Sequence, residues 1–578
     1  MLKKTFAASV ALALIIAAGA VCFLWKRPAA LGDSKAAEFL PGDTAVFAEV
    51  VDVPRSKSRW LDTALHQIAQ EPDVAAFLQK PMSMAPVDDR VQRFLKLEPK
   101  EVFAAVTGQG AQGPKVVAGF DFTGSRHDAE GLVADLKGKL VARYPEGKSD
   151  VQKYGSSQIE TFSYSGKVAA TVFKGAWFFA SNDLDALKGV LDRVDGQGDA
   201  KNSLKENATY QLCLGKLPKD SDAVAYANAK AKGLMDGLQA MIEAAPDVDP
   251  SSADELKKIQ AVAGAFKMDG ENLRDALYVY KPGGTARTLL EFHSKEFTSP
   301  GTVFYFVTKP SMRSAPAIPQ MPGLDATGSL AMVKTIGQIL GNAGLGFDEF
   351  KKAFGPEAGV AISLDNHSPM GRWIMAVDVR DRATAQKFLD TLGGGLPKKE
   401  IDGVRYYEFP ALGRGLVRIA PVLALTDKAL LCGVDIDSVS DSVKGAAQAQ
   451  PGGATVDQSE DFRAAGALVV KPTDSFGYID SRQLFESIFG PHGLGRAFLV
   501  AAAFSPASKY ADFGKVPPAE EISRHLKPMV YSQSTDENGS LTESVGPVTF
   551  TEFLCGLGMG GGVYGMTQER VGAFGFGR

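Results

Sequence analysis

The sequence is poor in the residues that usually mark a chemical site. Its 578 residues include only four cysteines and six histidines. The histidines stand at positions 66, 127, 293, 367, 492 and 525. None has a second histidine or a cysteine at the spacing of a zinc site. We therefore interpret all six as surface or satisfied histidines, and we expect neither a bound metal nor a cofactor.

The low cysteine content also argues against a disulfide framework. Cys22 lies in an apolar run near the N-terminus, and Cys555 lies in a glycine-rich tail. Cys213 and Cys432 fall in the globular part, each between apolar neighbours, and we predict that each is a small buried hydrophobe. The sequence leaves open whether these two cysteines are paired.

Catalytic and nucleotide-binding motifs are missing as well. Neither G-x-S-x-G nor S-x-x-K occurs. Residues 147–149 (GKS) resemble the end of a phosphate-binding loop, but Ala142 stands where the loop needs a glycine. Residues 556–561 match G-x-G-x-x-G near the C-terminus, where no βαβ unit follows to hold a dinucleotide. Catalysis needs convergent titratable groups, and the sequence shows none, so catalytic residues stay unknown and a non-enzymatic role is favoured.

The overall composition is that of a foldable protein without excess charge. Hydrophobic residues make up 45% of the chain and charged residues 22%, which is typical of globular proteins rather than disordered ones. The net charge of −4 gives no electrostatic reason to expect a nucleic-acid partner. The length is too great for one ordinary core and fits two to four domains.

The clearest positive signal lies in the first thirty residues. Residues 5–25 form the uncharged run TFAASVALALIIAAGAVCFLW, which lysines precede and Lys26 and Arg27 follow. As a helix this run would be about 30 Å long, the thickness of a bilayer core. Trp25 would then lie at the membrane–water interface. The run predicts a retained, single-pass membrane anchor.

Two other interpretations of this segment remain open. A cleavable signal peptide would end its apolar region near Ile16 and be cut after residues 18–20 (AGA), which would leave an apolar mature end at Val21. A lipoprotein would be modified at Cys22, although Val21 stands where a small residue is expected. All three interpretations place the chain from residue 31 onward outside the cytoplasm. We predict a cell inner membrane location with a periplasmic ectodomain.

An internal repeat organises that ectodomain. Residues 177–187 (WFFASNDLDAL) match residues 429–439 (ALLCGVDIDSV) at an offset of 252. Upstream the offset becomes 258, which aligns residues 41–50 with residues 300–307 across one gap. Duplicated domains tolerate such changes in loop length. The repeat predicts two similar domains, 41–298 and 299–548, with the same strand order.

The order of elements within each half indicates an α+β class. Residues 44–51 (TAVFAEVV) and 115–122 (KVVAGFDF) read as strands, whereas Ser58–Gln70 and Asp128–Leu140 have helical periodicity. Strands and helices mix without strict βαβ alternation. We therefore predict two similar mixed α/β domains, preceded by an N-terminal transmembrane or signal helix, rather than a parallel doubly wound sheet.

Two aspartates occupy matching places in the repeat. Asp183 and Asp435 each stand where an apolar strand ends and a helix begins, which predicts that their carboxylates cap those helices. With Asp185 and Asp437 they could also be interpreted as calcium ligands. Their loops lack the glycine and the closing glutamate of a calcium loop, so capping is the preferred interpretation.

The ends of the chain fall outside the repeat. Residues 1–30 form the signal anchor or signal peptide, and residues 31–40 form a spacer. Residues 549–578 form a glycine-rich tail whose apolar stretch is too short to span a membrane. We predict that this tail is flexible or docks onto a partner.

Two segments resemble a known group of exported bacterial proteins. These segments are residues 39–50 (FLPGDTAVFAEV), followed by residues 73–78 (DVAAFL), and the later residues 461–488 (DFRAAGALVVKPTDSFGYIDSRQLFESI). They resemble the group called domain of unknown function 3352. The resemblance implies an envelope location, and it brings no reaction and no catalytic residues to transfer.

Together these observations favour an exported, membrane-anchored envelope protein with a non-catalytic binding or scaffolding role. Its expected partners are the membrane, through residues 5–25, and an envelope protein or small ligand. The alternative is an extracytoplasmic hydrolase whose carboxylates are brought together by folding in a site between the two halves. A buried carboxylate pair in a cleft would favour the hydrolase, and an open sheet edge or exposed apolar patch would favour binding.

Overall fold

The computed structural model describes most of the ectodomain. The described ranges are 34–84, 89–110, 113–197, 202–231, 257–309, 351–364, 371–411, 420–448, 455–491 and 506–550, with residues 493, 495, 499 and 504. The predicted anchor at residues 5–25 and nearly all of the glycine-rich tail lie outside them. Within the described ranges, no helix combines the length and the apolar character that crossing a membrane requires.

The chain divides into two compact units. The first comprises the residues up to Ala286 and the short segment Asp536–Leu541. Its strands are β1 Val46–Val50, β2 Pro99–Gly110, β3 Gly113–Phe122, β4 Lys148–Tyr154, β5 Ser157–Tyr164, β6 Lys167–Lys174, β7 Trp177–Ser181, β8 Ala223–Asn228, β9 Ala261–Asp269 and β10 Asn272–Tyr280. Its described helices are α1 Ala36–Phe39, α2 Val53–Trp60, α3 Ala64–Gln70, α4 Pro72–Met84, α5 Asp89–Lys96, α6 Arg126–Arg143, α7 Leu184–Val194 and α8 Ala208–Gly215.

The second unit comprises Arg287–Thr535 and the residues from Thr542 onward. The strands numbered after β10 are β11 Thr302–Thr308, β12 Phe354–Ser363, β13 Arg372–Val379, β14 Lys398–Ile401, β15 Val404–Glu408, β16 Val422–Leu425, β17 Ala429–Gly433, β18 Ser475–Ile479, β19 Met529–Thr535 and β20 Gly539–Gly546. The described helices are α9 Arg382–Leu392, α10 Ile436–Gln448, α11 Glu460–Gly466, α12 Ser481–Phe489 and α13 Ala519–Ser523. Short 3₁₀ helices span His293–Phe297, Val456–Gln458, Pro506–Lys509 and Phe513–Lys515.

The order of the strands is the same in the two halves. In the first half neighbouring strands follow the order β4-β5-β6-β7-β3-β2-β1-β8-β9-β10. In the second half the order is β14-β15-β16-β17-β13-β12-β11-β18-β19-β20. Each strand of the second half has the number of its counterpart in the first half plus ten. The strand order therefore agrees with the repeat that the offsets predict.

The predicted fold class is wrong. We expected an α+β protein with two similar mixed α/β domains, but the twenty strands of the described ranges form a single large antiparallel sheet. Periodicity along the sequence shows which residues of a strand are buried, but not which other strands it pairs with. Pairing is a non-local property, so the repeat did not show that the strands of both halves join in one sheet.

The core around the first strand of each half repeats an aromatic cluster. Phe47 on β1 packs against Tyr210 with a ring-centroid distance of 6.0 Å, and Tyr210 packs edge-on against Tyr226 at 5.1 Å. The cluster in the second half is Tyr305, Phe462 and Tyr478, with corresponding distances of 6.0 Å and 5.0 Å. Edge-to-face aromatic contacts of this kind stabilise a core beyond the area they bury.

Several local predictions are confirmed. Asp183 accepts a hydrogen bond from the backbone N–H of Ala186 at 2.8 Å, and Asp435 accepts one from Ser438 at 2.7 Å, so both aspartates cap their helices. Cys213 and Cys432 are free and buried, and burial raises the pKa of the first thiol to about 11 and of the second to about 12. Both cysteines are the small buried hydrophobes that the sequence predicts.

One predicted helix is divided into two. The periodicity from Ser58 to Gln70 predicts a continuous helix, but α2 ends at Trp60 and α3 begins at Ala64. Thr63 separates them, and its hydroxyl accepts a hydrogen bond from the backbone N–H of His66. A threonine in this position begins a new helix because it satisfies a free N–H of the first turn.

Candidate functional site

Buried carboxylates occupy the same place in each half. Ala105 on β2 faces Phe47 of β1, and Ala361 on β12 faces Tyr305 of β11, so the two alanines are equivalent. Glu101 and Glu357 each lie four residues before the alanine. On each partner strand, an aspartate lies four residues after the residue that faces the alanine. These aspartates are Asp121 on β3 and Asp378 on β13.

A distortion of the ladder accompanies each glutamate. The register between β2 and β3 shifts between Pro99 and Val102, and that between β12 and β13 shifts between Phe354 and Ala358. Such irregularities bend a strand and redirect a side chain. In the second half the strands approach closely, because a Cβ atom added to Gly355 would lie 2.4 Å from Cβ of Asp378. Only glycine fits there without movement of the neighbouring strand.

In the first half these carboxylates bind the main chain. Glu101 accepts hydrogen bonds from the backbone N–H groups of Lys35, at 3.1 Å, and Ala36, at 2.7 Å, where α1 begins. Asp121 accepts from the N–H groups of Lys100, at 3.2 Å, and Glu101, at 2.6 Å. Both side chains therefore satisfy N–H groups that regular secondary structure leaves unpaired.

A third acid, Glu49 on β1, is buried beside Glu101. Its side chain is 5% exposed and accepts a hydrogen bond of 2.6 Å from the hydroxyl of Ser34. Burial, together with the charge of Glu101, raises the pKa of Glu49 to about 8. Glu49 is therefore protonated at neutral pH and donates a hydrogen bond to the Glu101 carboxylate.

The second half uses its carboxylates differently. Oε2 of Glu357 accepts from the backbone N–H groups of Glu291, at 3.1 Å, and Phe292, at 3.0 Å. Oε1 of Glu357 is buried and has no hydrogen-bond partner. Asp378 lies 3.2 Å from Nδ1 of His293, and the Glu291 carboxylate lies 2.8 Å from Nε2 of the same ring.

The electrostatics of this cluster follow from burial and from its excess of acids. Burial raises the pKa of Asp378, against the effect of its hydrogen bond from His293. Burial alone would lower the pKa of His293, but the hydrogen bond to Asp378 and the nearby carboxylates outweigh it, and the pKa is raised. The cluster therefore attracts positive charge.

One residue explains why Asp378 is free to face a histidine. Pro356 stands where the first half has Lys100, and a proline has no N–H to donate. Asp121 accepts hydrogen bonds from the backbone N–H groups at the bulge, whereas Asp378 contacts His293 instead. One ligand atom from each of His293, Glu357 and Asp378 can lie within 4.8 Å of the others. One nitrogen and two carboxylate oxygens form a donor set that could hold a divalent cation.

The sequence did not identify this cluster. It gave no catalytic residues and no metal ligands, and it interpreted His293 as a surface or satisfied histidine. Asp183 and Asp435, the acids it singled out, act as helix caps elsewhere in the structure. The repeat itself could have pointed to these acids. Glu101 aligns with Glu357 at an offset of 256 and Asp121 aligns with Asp378 at an offset of 257, close to the offset of 258 in the preceding segment.

Two surface cavities lie away from these acids. The first, in the first half, has a volume of about 390 Å³ and is lined by Gly42, Asp43, Asn202, Ser203, Glu206, Asn207 and Asn228. The second, in the second half, has a volume of about 120 Å³ and is lined by Arg382, Gln386, Glu400, Gly403, Arg405 and Leu425. Neither cavity is lined by the buried carboxylates.

Comparisons with known proteins add little. No protein-family model matches the chain, and no curated protein does. One solved structure, described as crystal form III of TP0453, aligns with 46% of this chain and 84% of its own at 9% identity, with a TM-score of 0.24. A similarity at that level supports no inference about fold or function. The resemblance to domain of unknown function 3352 stays a prediction.

Proposed function

We propose that this chain is an exported envelope protein, anchored in the inner membrane by residues 5–25, with a non-catalytic binding or scaffolding role outside the cytoplasm. Support for the location comes from the sequence. The uncharged run is long enough to span a bilayer, it continues through Trp25, and the resemblance to exported bacterial proteins points to the same compartment.

The hydrogen bonds that the buried carboxylates accept from the main chain support the non-catalytic part of the proposal. Glu101, Asp121 and Glu357 all accept hydrogen bonds from backbone N–H groups. A carboxylate that satisfies buried main-chain donors stabilises the fold, since each donor left unpaired would cost about 1–3 kcal/mol. Glu101 and Asp121 are therefore accounted for by structure, without a reaction.

One observation favours the alternative of a carboxylate-based hydrolase. A glutamate that stays protonated at neutral pH, as Glu49 does, is what a general acid requires, and Glu101 beside it could serve as the base. Access argues against it. Glu49 and Glu101 are each 5% exposed, and the Ser34 hydroxyl already occupies one oxygen of Glu49. A substrate could reach this pair only if the segment around Ser34 moved away.

Chemical labelling of carboxyl groups tests this distinction. The folded chain is treated near pH 6 with a water-soluble carbodiimide and an amine, and the labelled sites are identified by mass spectrometry. We expect no label on Glu49 or Glu101 and full label on Glu291 and Asp427, whose side chains are 72% and 85% exposed. Protonated carboxyls react readily with the reagent, so protection of Glu49 would reflect its burial. Labelling of Glu49 or Glu101 in the folded protein would favour the hydrolase instead.

A further inference from the structure

We propose that His293, Glu357 and Asp378 form a binding site for a divalent transition-metal ion. This site goes beyond the envelope role proposed above and does not depend on it. The ion would be held by Nδ1 of His293, Oε1 of Glu357 and a carboxylate oxygen of Asp378. The sequence positions of these ligands are far apart, but strands β12 and β13 and the 3₁₀ helix His293–Phe297 bring them together.

The buried oxygen of Glu357 is the strongest argument. Glu357 is only 2% exposed, and its Oε1 atom has no hydrogen-bond partner. A buried carboxylate oxygen without a donor or a cation is costly. The equivalent residue in the first half, Glu101, has main-chain N–H groups bound to both of its oxygens. A cation would give Glu357 the partner that it lacks.

The geometry around His293 also fits an ion. Two donors bound to one cation at about 2.1 Å lie about 3.0–3.4 Å apart. The separation of 3.2 Å between Nδ1 of His293 and Asp378 falls in that range. An ion bound between Nδ1 and Asp378 would take the place of the proton that joins them in its absence, while Glu291 accepts from Nε2–H at 2.8 Å. A carboxylate that orients a ligating histidine in this way is common in metal sites.

The local charge favours a cation as well. Three carboxylates, those of Glu291, Glu357 and Asp378, surround one imidazole. The nearby lysines have other partners, since Lys295 pairs with Asp457 and Lys428 pairs with Glu296. The side chain of His293 is 52% exposed, so an ion could enter from solvent, and three protein ligands would leave at least one position open to water.

The mixed donor set indicates the class of metal. A neutral imidazole suits zinc, copper, iron and nickel, whereas calcium, magnesium and manganese prefer oxygen ligands. The first half has the same pair of acids, but its glutamate and aspartate are both bound to main-chain N–H groups. We therefore expect one metal site in this region of the repeat, in the second half only.

Titration of the full-length chain with Zn²⁺ tests the site. The protein is purified in detergent, stripped with a chelator and titrated near neutral pH by isothermal calorimetry. We expect saturable binding of one ion, which His293→Asn and Asp378→Asn abolish. Glu291→Gln should weaken binding by roughly 10- to 100-fold, because Glu291 only orients the histidine. His127→Asn, on an exposed histidine of α6, and Glu101→Gln should leave binding unchanged.

A spectroscopic measurement distinguishes a loss of metal binding from a loss of folding. Co²⁺ bound at the same site should give visible absorption bands that are lost in His293→Asn, while the far-ultraviolet circular dichroism of that variant stays unchanged. His293 is half exposed, so its replacement should not disturb the core. Absence of saturable Zn²⁺ binding by the wild type, or equal binding by the wild type, His293→Asn and Asp378→Asn, would overturn the proposal.

Discussion

Replacing Asp222 by alanine is expected to lower the free energy of unfolding by about 3–5 kcal/mol, the usual effect of removing one partner from a buried ion pair. Asp222 is 2% exposed, and its carboxylate accepts from the hydroxyl of Ser56 at 2.9 Å and from the backbone N–H of Met268 at 2.8 Å. It also pairs with Arg55 and Arg59, at 3.8 Å and 3.3 Å. Without it, the buried guanidinium of Arg55 would lose the carboxylate with which it pairs.

Urea unfolding of the full chain, followed by tryptophan fluorescence, measures this effect. Asp135→Ala is the matched control, because Asp135 pairs with Arg93 at the surface, where a lost ion pair costs about 0–1 kcal/mol. Asp474, the counterpart of Asp222 in the repeat, pairs with the half-exposed Arg287, so Asp474→Ala should cost less than Asp222→Ala. A loss for Asp222→Ala no larger than that for Asp135→Ala would contradict the assignment.

Glu49→Gln is expected to stabilise the protein at neutral and alkaline pH. Glu49 has a pKa of about 8 in the folded protein, against 4.5 for a glutamate in the unfolded chain. The folded state therefore keeps a proton that the unfolded state releases. The stability that this proton contributes is fully present below pH 4.5, and it is lost as the pH rises from 4.5 to 8. At pH 7 the loss amounts to roughly 3 kcal/mol.

Glutamine removes this pH dependence without removing the contacts. Its amide can donate to Glu101 as the protonated acid does, and its carbonyl can accept from Ser34. We expect Glu49→Gln to exceed the wild type by roughly 2–4 kcal/mol in free energy of unfolding at pH 8, and to match it at pH 4. Glu38→Gln, which changes an exposed acid that pairs with Lys205, should keep the wild-type slope. Equal slopes for the wild type and Glu49→Gln would show that Glu49 is not held protonated.

The sequence predicted local structure better than it predicted pairing. The strand predicted at residues 44–51 contains β1, and the helix predicted at Asp128–Leu140 lies within α6. Alternation and helical periodicity report burial along one element, which short segments can show by themselves. The single antiparallel sheet could not be predicted in this way, because pairing of β1 with β8 joins residues that are 173 to 181 positions apart.

The candidate site was missed for a related reason. His293, Glu357 and Asp378 have no common motif, and each looks ordinary in its own segment. They meet because β12 and β13 pair and because a distortion of the ladder redirects Glu357. The helix caps Asp183 and Asp435 were predictable, since a cap depends only on the residues of the next turn. A cluster that depends on tertiary pairing offers no such local signal.

The central claim, that this is a membrane-anchored protein, is tested most directly at its N-terminus. The natural protein is recovered from membranes washed at alkaline pH, and its N-terminal sequence is determined. A retained anchor predicts that the protein stays in the washed membranes and begins at Met1 or Leu2, with residues 5–25 intact. A mature protein that begins at Val21 and is released by the wash would contradict the anchor and leave only export.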